Sequence, residues 1–178
     1  MMGIKDFFVI PSEAEEQLDG DLLPGEAVRS LALSKGIDVW ENYGKPGDIV
    51  ISGDTLVYLD GTPLGKPSNE EEAYNMLKSL SGREHTVHTG VAVIKDGLKL
   101  SATENAQVFF REMTDDEIRT YIKTGEPMDK AGAYGIQGLG GVFIEKIYGD
   151  FFTVMGLPMC RLYSMLKEAG FDSLKSVI

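Results

Sequence analysis

Cysteine is nearly absent from this chain. Cys160 is the only one among 178 residues, which excludes an internal disulfide and a cysteine-based zinc site and suits a reducing compartment. Long apolar runs are absent as well. None approaches the ~20 residues of a membrane span, and Met1 to Asp6 carries no basic stretch ahead of an apolar one, as a signal peptide would. The expectation is a cytoplasmic protein with no membrane partner. Positive charge is scarce: Lys and Arg number 17 against 28 Asp and Glu, a formal net charge of −11. Such a surface repels phosphate backbones and anionic lipid, so general binding to nucleic acid is not expected. A small anionic ligand stays open, because a local basic pocket can sit in an acidic protein. No G-x-x-x-x-G-K-[ST] loop occurs.

What is present suits a single globular domain over residues 1–178. Phe7 to Ile10 is a short apolar run closed by Pro11-Ser12, which reads as a buried strand. Pro24-Gly25-Glu26 opens a helix whose apolar positions Ala27, Val28, Leu31 and Ala32 follow helical spacing, with Gly36 as its stop. Asp48 to Ser52 reads as a second buried strand, and Leu56 to Leu59 resumes extended chain up to the Asp60-Gly61 hairpin signal. Ser68 and Glu71 form a capping box for the next helix. Val87, Thr89, Val91 and Val93 alternate, and Asp96-Gly97 turns that strand into its return, Leu98 to Arg111. Thr114 and Glu117 cap a further helix, Val142 to Tyr148 is a strand, and Pro158 starts a terminal helix. This order gives an α/β fold whose sheet contains hairpins and is therefore mixed, not purely parallel.

Several residue types carry chemistry. Asp54 follows an apolar strand and a glycine, where a carboxylate can accept a proton or bind a divalent metal; a turn aspartate bonded to its own backbone fits the same local pattern. Lys35 projects from the apolar face of its helix, either as a snorkelling stem or as a cation aimed into a cleft. Lys66 sits after a tight hairpin and before a proline, fit to meet phosphate oxygens or to be a solvated hairpin lysine. Glu15 and Glu16 are adjacent carboxylates, a source of a metal ligand or simply a solvated acidic loop. His85 and His88 lie three apart on one strand and so face opposite ways. Cys160 is expected to be packed in the core. Glycine is enriched, 21 residues, and clusters at Gly132, Gly135, Gly138, Gly140 and Gly141. Such a segment lets main chain approach a ligand closely and expose its N–H groups. Within it, the amide of Gln137 offers the donor and acceptor that the imide edge of uracil or thymine requires, or is simply a structural glutamine of a Gly-rich loop.

Taken together, Ser52-Gly53-Asp54-Thr55-Leu56-Val57, Gly65-Lys66-Pro67, Leu80-Ser81-Gly82-Arg83 with His85, Thr89-Gly90-Val91-Ala92, Thr124 to Pro127 running into Asp129 to Gly138, and Val154 to Pro158 resemble the Maf family of nucleoside triphosphate pyrophosphatases. The resemblance runs in order from about Gly3 to Gly170. It implies a mixed twisted sheet with flanking helices, in two lobes around a central cleft, and hydrolysis of a nucleoside triphosphate to the monophosphate and pyrophosphate with Mg or Mn. It also implies Asp54 as proton acceptor, Lys35 and Lys66 as phosphate-facing lysines, and Glu16 with Asp54 near the metal. Thr55 and Gln137 resemble the subgroup acting on dTTP and UTP, as opposed to the one acting on 7-methyl-GTP. A homodimer is compatible with the family. Family members open with a strand and a Ser-x-Ser-Pro-Arg-Arg loop, whereas here Met2-Gly3-Ile4 aligns with the end of the helix that follows. The expectation is an N-terminally truncated domain, from a misassigned start or as a true truncation with weakened triphosphate binding. The alternative is a non-catalytic nucleotide-binding or septum-formation regulatory protein.

Overall fold

Two left-handed hairpin turns organise the sheet. Asp60 and Gly61 have φ of 51° and 78°, and Asp96 and Gly97 have 46° and 88°, the conformation that matches the right-handed twist of paired strands. The computed structural model describes residues 4, 7–14 and 22–175. Five strands, β1 (Val50–Leu59), β2 (Thr62–Leu64), β3 (Glu84–Lys95), β4 (Leu98–Phe110) and β5 (Ile144–Tyr148), lie in the order β2-β1-β3-β4-β5. The first turn pairs β1 with β2 antiparallel, Val57 opposite Leu64. The pairing of β4 with β5 is also antiparallel, Val108 opposite Ile147, with an irregularity between Phe109 and Phe110. The expected mixed sheet of hairpins thus takes an antiparallel form.

The helices are α1 (Pro24–Tyr43), α2 (Glu70–Leu80), α3 (Asp115–Ile122), α4 (Phe151–Val154) and α5 (Met159–Glu168). The chain divides into two compact units, one of residues 1–54, 89–104 and 156–178, the other of 55–88 and 105–155. Each has its own core. In the first unit Val91, Val93, Leu162, Met165, Leu166 and Ala169 cluster, so α5 covers β3 with its apolar stripe. In the second, Leu77 and Leu80 of α2, Ile118, Tyr121 and Ile122 of α3, and Val57, Val87, Val108 and Phe110 of the strands cluster.

The structure corrects several expectations. Gly36 does not stop α1, which continues for two further turns to Tyr43. It is buried inside the helix, and a Cβ there would lie 2.6 Å from the Ser52 hydroxyl and 3.1 Å from Ile94. The glycine serves close helix–strand approach, which a local sequence pattern does not distinguish from a stop. The cap of α2 is Asn69, not Ser68: its side chain accepts the Glu72 N–H at 2.9 Å, while Ser68 N–H donates to the Glu72 carboxylate at 2.8 Å. Phe7 to Ile10 forms no strand, and Phe8 is 95% exposed. Phe7 and Phe8 border a groove of about 810 Å³ that follows Ile49 to Gly53. Cys160 is exposed on α5 rather than packed in the core.

Candidate functional site

In the first unit, α1 is drawn onto the strands at two points. One is Gly36 against Ser52, whose hydroxyl also donates to the Ala32 carbonyl at 2.6 Å. The other is Gly90 on β3, where a Cβ would come within 2.0 Å of the Val28 carbonyl oxygen. Only glycine permits approach this close. The residue next to Gly36 is Lys35, and two residues after Ser52 is Asp54. The packing brings them together: Lys35 Nζ lies 2.5 Å from Asp54 Oδ1, with side chains 22% and 10% exposed. Asp54 is therefore no turn aspartate. It sits in the middle of the ten-residue strand β1, held by regular structure on both sides. Lys35 does not snorkel past a core edge; its ammonium group ends on the carboxylate.

One helical turn beyond Lys35, Asp38 accepts from the Ser12 hydroxyl at 2.7 Å and from the Glu13 N–H at 2.8 Å. These bonds hold its carboxyl below the usual range and fasten the segment that leads toward Glu15 and Glu16. Those two glutamates lie outside the described residues. Sequence reasoning missed Asp38, since a helical aspartate carries no mark of what it will meet.

The second unit carries Thr55, Lys66 and Gln137. Thr55 follows Asp54 in β1 and is half-buried. Lys66 is exposed, just past the end of β2. The carbonyl of its neighbour Gly65 accepts the Gly132 N–H at 3.0 Å, so the hairpin is tied to the glycine-rich segment. Lys130, 2.6 Å from Asp129, holds that carboxyl below its ordinary range, with a smaller contribution from Lys66.

The glycine-rich segment is a succession of tight turns, Glu126–Asp129, Ala131–Ala133 and Leu139–Phe143. Gly132, with φ of 69°, packs its bare Cα against Val57 of β1, where a Cβ would lie 3.1 Å from the valine methyls. Tyr134 anchors the middle. Its hydroxyl lies 2.8 Å from His85 Nε2, and both rings stack edge-on with Phe110. Burial pushes the His85 pKa down to about 4 and the Tyr134 phenol up, so the pair is neutral at pH 7. His85 and His88 do face differently: the first is 2% exposed in the core, the second sits half-buried against Tyr58. Gln137 is exposed, its amide touching the Met155 sulfur at 2.5 Å.

No three His, Cys, Asp or Glu side chains cluster around a metal position among the described residues. The donor chemistry still suits a hard ion that arrives with its ligand. Mg²⁺ is commonly held by one or two carboxylates together with substrate phosphate oxygens, without a full protein cage, and Asp54 is a carboxylate that could serve in this way.

Comparison with known proteins bears on the lineage of the chain. The profile of the family described as "Maf-like protein" matches residues 1–169. A protein of Caldicellulosiruptor saccharolyticus named dTTP/UTP pyrophosphatase is 47% identical over 177 residues, spanning 97% of this chain and 88% of its own length. One of the same name from Thermococcus gammatolerans is 50% identical over 171 residues, 96% of this chain and 89% of its own. Another from Clostridium botulinum is 52% identical over 146 residues, 81% and 77% respectively. Similarity of this extent leaves one conclusion about lineage: the chain belongs to the Maf family.

Proposed function

We propose that this chain hydrolyses dTTP and UTP to the nucleoside monophosphate and pyrophosphate. The observation that carries the reading is the Lys35–Asp54 pair at 2.5 Å in the first unit. The name shared by relatives about half identical to it supports the choice of substrate. A carboxylate fixed in orientation by an ion pair and by a continuous strand is suited to take a proton from water.

In this reading Asp54 is the proton acceptor. Water attacks in line, its proton passes to the Asp54 carboxylate, and pyrophosphate leaves from the cleaved anhydride. Lys35 holds the carboxylate in place and, with Lys66, meets the negative charge of the phosphates. Asp54 and Glu16 are the residues that would hold Mg²⁺ or Mn²⁺, which when bound neutralises phosphate charge and orients the oxygens. Gln137 reads the imide edge of the base, its amide giving one donor and one acceptor where uracil and thymine offer the complement. Thr55 assists in selecting the pyrimidine.

The test is pyrophosphate release from dTTP, UTP and 7-methyl-GTP with Mg²⁺ or Mn²⁺. Turnover of the two pyrimidine substrates well above 7-methyl-GTP is expected. Preference for 7-methyl-GTP, or tight nucleotide binding with no turnover, overturns the reading.

A further inference from the structure

Gln137 is bracketed by two backbone anchors, and both lead to the same carboxylate. On its C-terminal side, the Leu139 N–H donates to Glu126 Oε2 at 2.9 Å and the Gly140 N–H to Glu126 Oε1 at 3.0 Å. On its N-terminal side, the Gly135 N–H donates to the Tyr121 hydroxyl at 3.2 Å, and that hydroxyl donates to Glu126 Oε1 at 2.8 Å. The glycines make room for this hub. A Cβ on Gly138 would fall within 2.3 Å of the Glu126 carboxylate, and one on Gly140 within 2.5 Å of the Tyr121 oxygen. Burial works to raise the Glu126 pKa, but the Gly140 and Leu139 amides and the Tyr121 hydroxyl outweigh it and hold it below the usual range. Hydrogen bonds to an ionised acceptor are roughly twice as strong as neutral ones. One anion thus fixes a turn that contains no regular backbone ladder.

We infer that Glu126, with Tyr121 as its relay, is a positioning residue for pyrimidine recognition, setting the backbone on both sides of Gln137 so that its amide meets the base. The inference rests on the reading of Gln137 given above. Glu126 acts through main chain and does not itself contact the base. A turn held in its binding conformation before the nucleotide arrives loses less freedom on binding, so loosening it raises KM and leaves the proton transfer at Asp54 intact.

The experiment is steady-state kinetics on the full chain with UTP and dTTP. It compares wild type, Glu126→Gln, Glu126→Ala, Gln137→Ala and the Glu126→Ala/Gln137→Ala double variant, each checked for folding by thermal unfolding. Glu126→Ala is expected to raise KM about tenfold with kcat little changed, as the loss of charge-assisted hydrogen bonds implies. Glu126→Gln keeps one acceptor oxygen and falls between. The double variant is expected to be no worse than Gln137→Ala alone, because two residues on one route do not add. Effects that multiply, or a loss confined to kcat, overturn the inference. If Gln137→Ala itself leaves KM unchanged while Glu126→Ala raises it, the reading of Gln137 fails and the inference with it. Should Glu126→Ala fail to fold, Tyr121→Phe carries the test. It removes only the relay hydroxyl and is expected to raise KM about threefold, and an unchanged KM overturns the relay.

Discussion

Lys35–Asp54 and the Gln137 turn solve the same problem in different ways. The first pair is placed by regular structure: a long helix and a ten-residue strand brought close by Gly36 and Gly90, with the side chains meeting directly. The second lies between short 3-10 turns and is placed by backbone N–H groups gathered on one carboxylate. The difference suits the tasks proposed for the two regions. Proton transfer needs a rigid carboxylate, and rigidity is what a packed helix–strand contact supplies. Base reading needs an exposed side chain on a held backbone, and a surface turn presents one.

The largest expected effect tests the first region. Asp54→Ala should lower kcat for dTTP and UTP by about 10²–10⁴-fold, the usual weight of a positioned base, with KM moving far less. Initial rates of pyrophosphate release measure both. The comparison fails if Asp54→Ala acts on KM and Gln137→Ala on kcat.

Next in size is the response of the second core to acid. His85 is held neutral by burial, its pKa down at about 4 from an ordinary 6.5. The unfolded chain binds the proton first, so stability is full above about pH 6.5 and falls as pH drops toward 4. The contribution is about 3 kcal/mol. Urea unfolding at pH 7, 5.5 and 4.5 should show it, and His85→Gln should flatten that dependence. An equally steep fall in the variant would place the acid sensitivity elsewhere.

Glycine substitutions sharpen the contrast between the regions. Gly90→Ala forces its methyl into the Val28 carbonyl and should cost about 1–3 kcal/mol by overpacking, lowering kcat as α1 shifts. Gly138→Ala collides instead with the Glu126 carboxylate and should raise KM while leaving kcat near wild type. Thermal melts with paired kinetics separate the two. A drop in kcat from Gly138→Ala would mean that the regions are not energetically distinct. The smallest effect is at α3. Thr114→Ala removes the hydroxyl that accepts the Glu117 N–H at 3.2 Å, for about 1 kcal/mol. It should change neither kinetic constant.

Much of this was legible in the sequence where the cause is local. The two Asp-Gly turns and the Thr114–Glu117 capping box depend on residues within four positions, and they formed as expected. Lys35 stood out because a lysine on an apolar helix face requires an explanation, and the Asp54 carboxylate is that explanation. What escaped depends on distant partners. Gly36 looks like a helix stop until Ser52 is beside it. Phe7 to Ile10 has the composition of a strand, but pairing needs a neighbour, and this segment has no strand structure. Glu126 follows a helix-ending glycine and looks like any solvated acid, because its partners are backbone amides that sequence cannot display.

The hub at Glu126 also constrains the order in which this segment can change. With the carboxylate in place, a methyl at position 138 has nowhere to go. With the carboxylate gone, the same methyl meets an empty corner. A side chain at 138 is therefore harmful or harmless according to what stands at 126, and the path that loses the acid first passes through a protein with a loosened Gln137 turn. The two positions are coupled in sequence space: exchanging either one alone carries a cost that exchanging both does not.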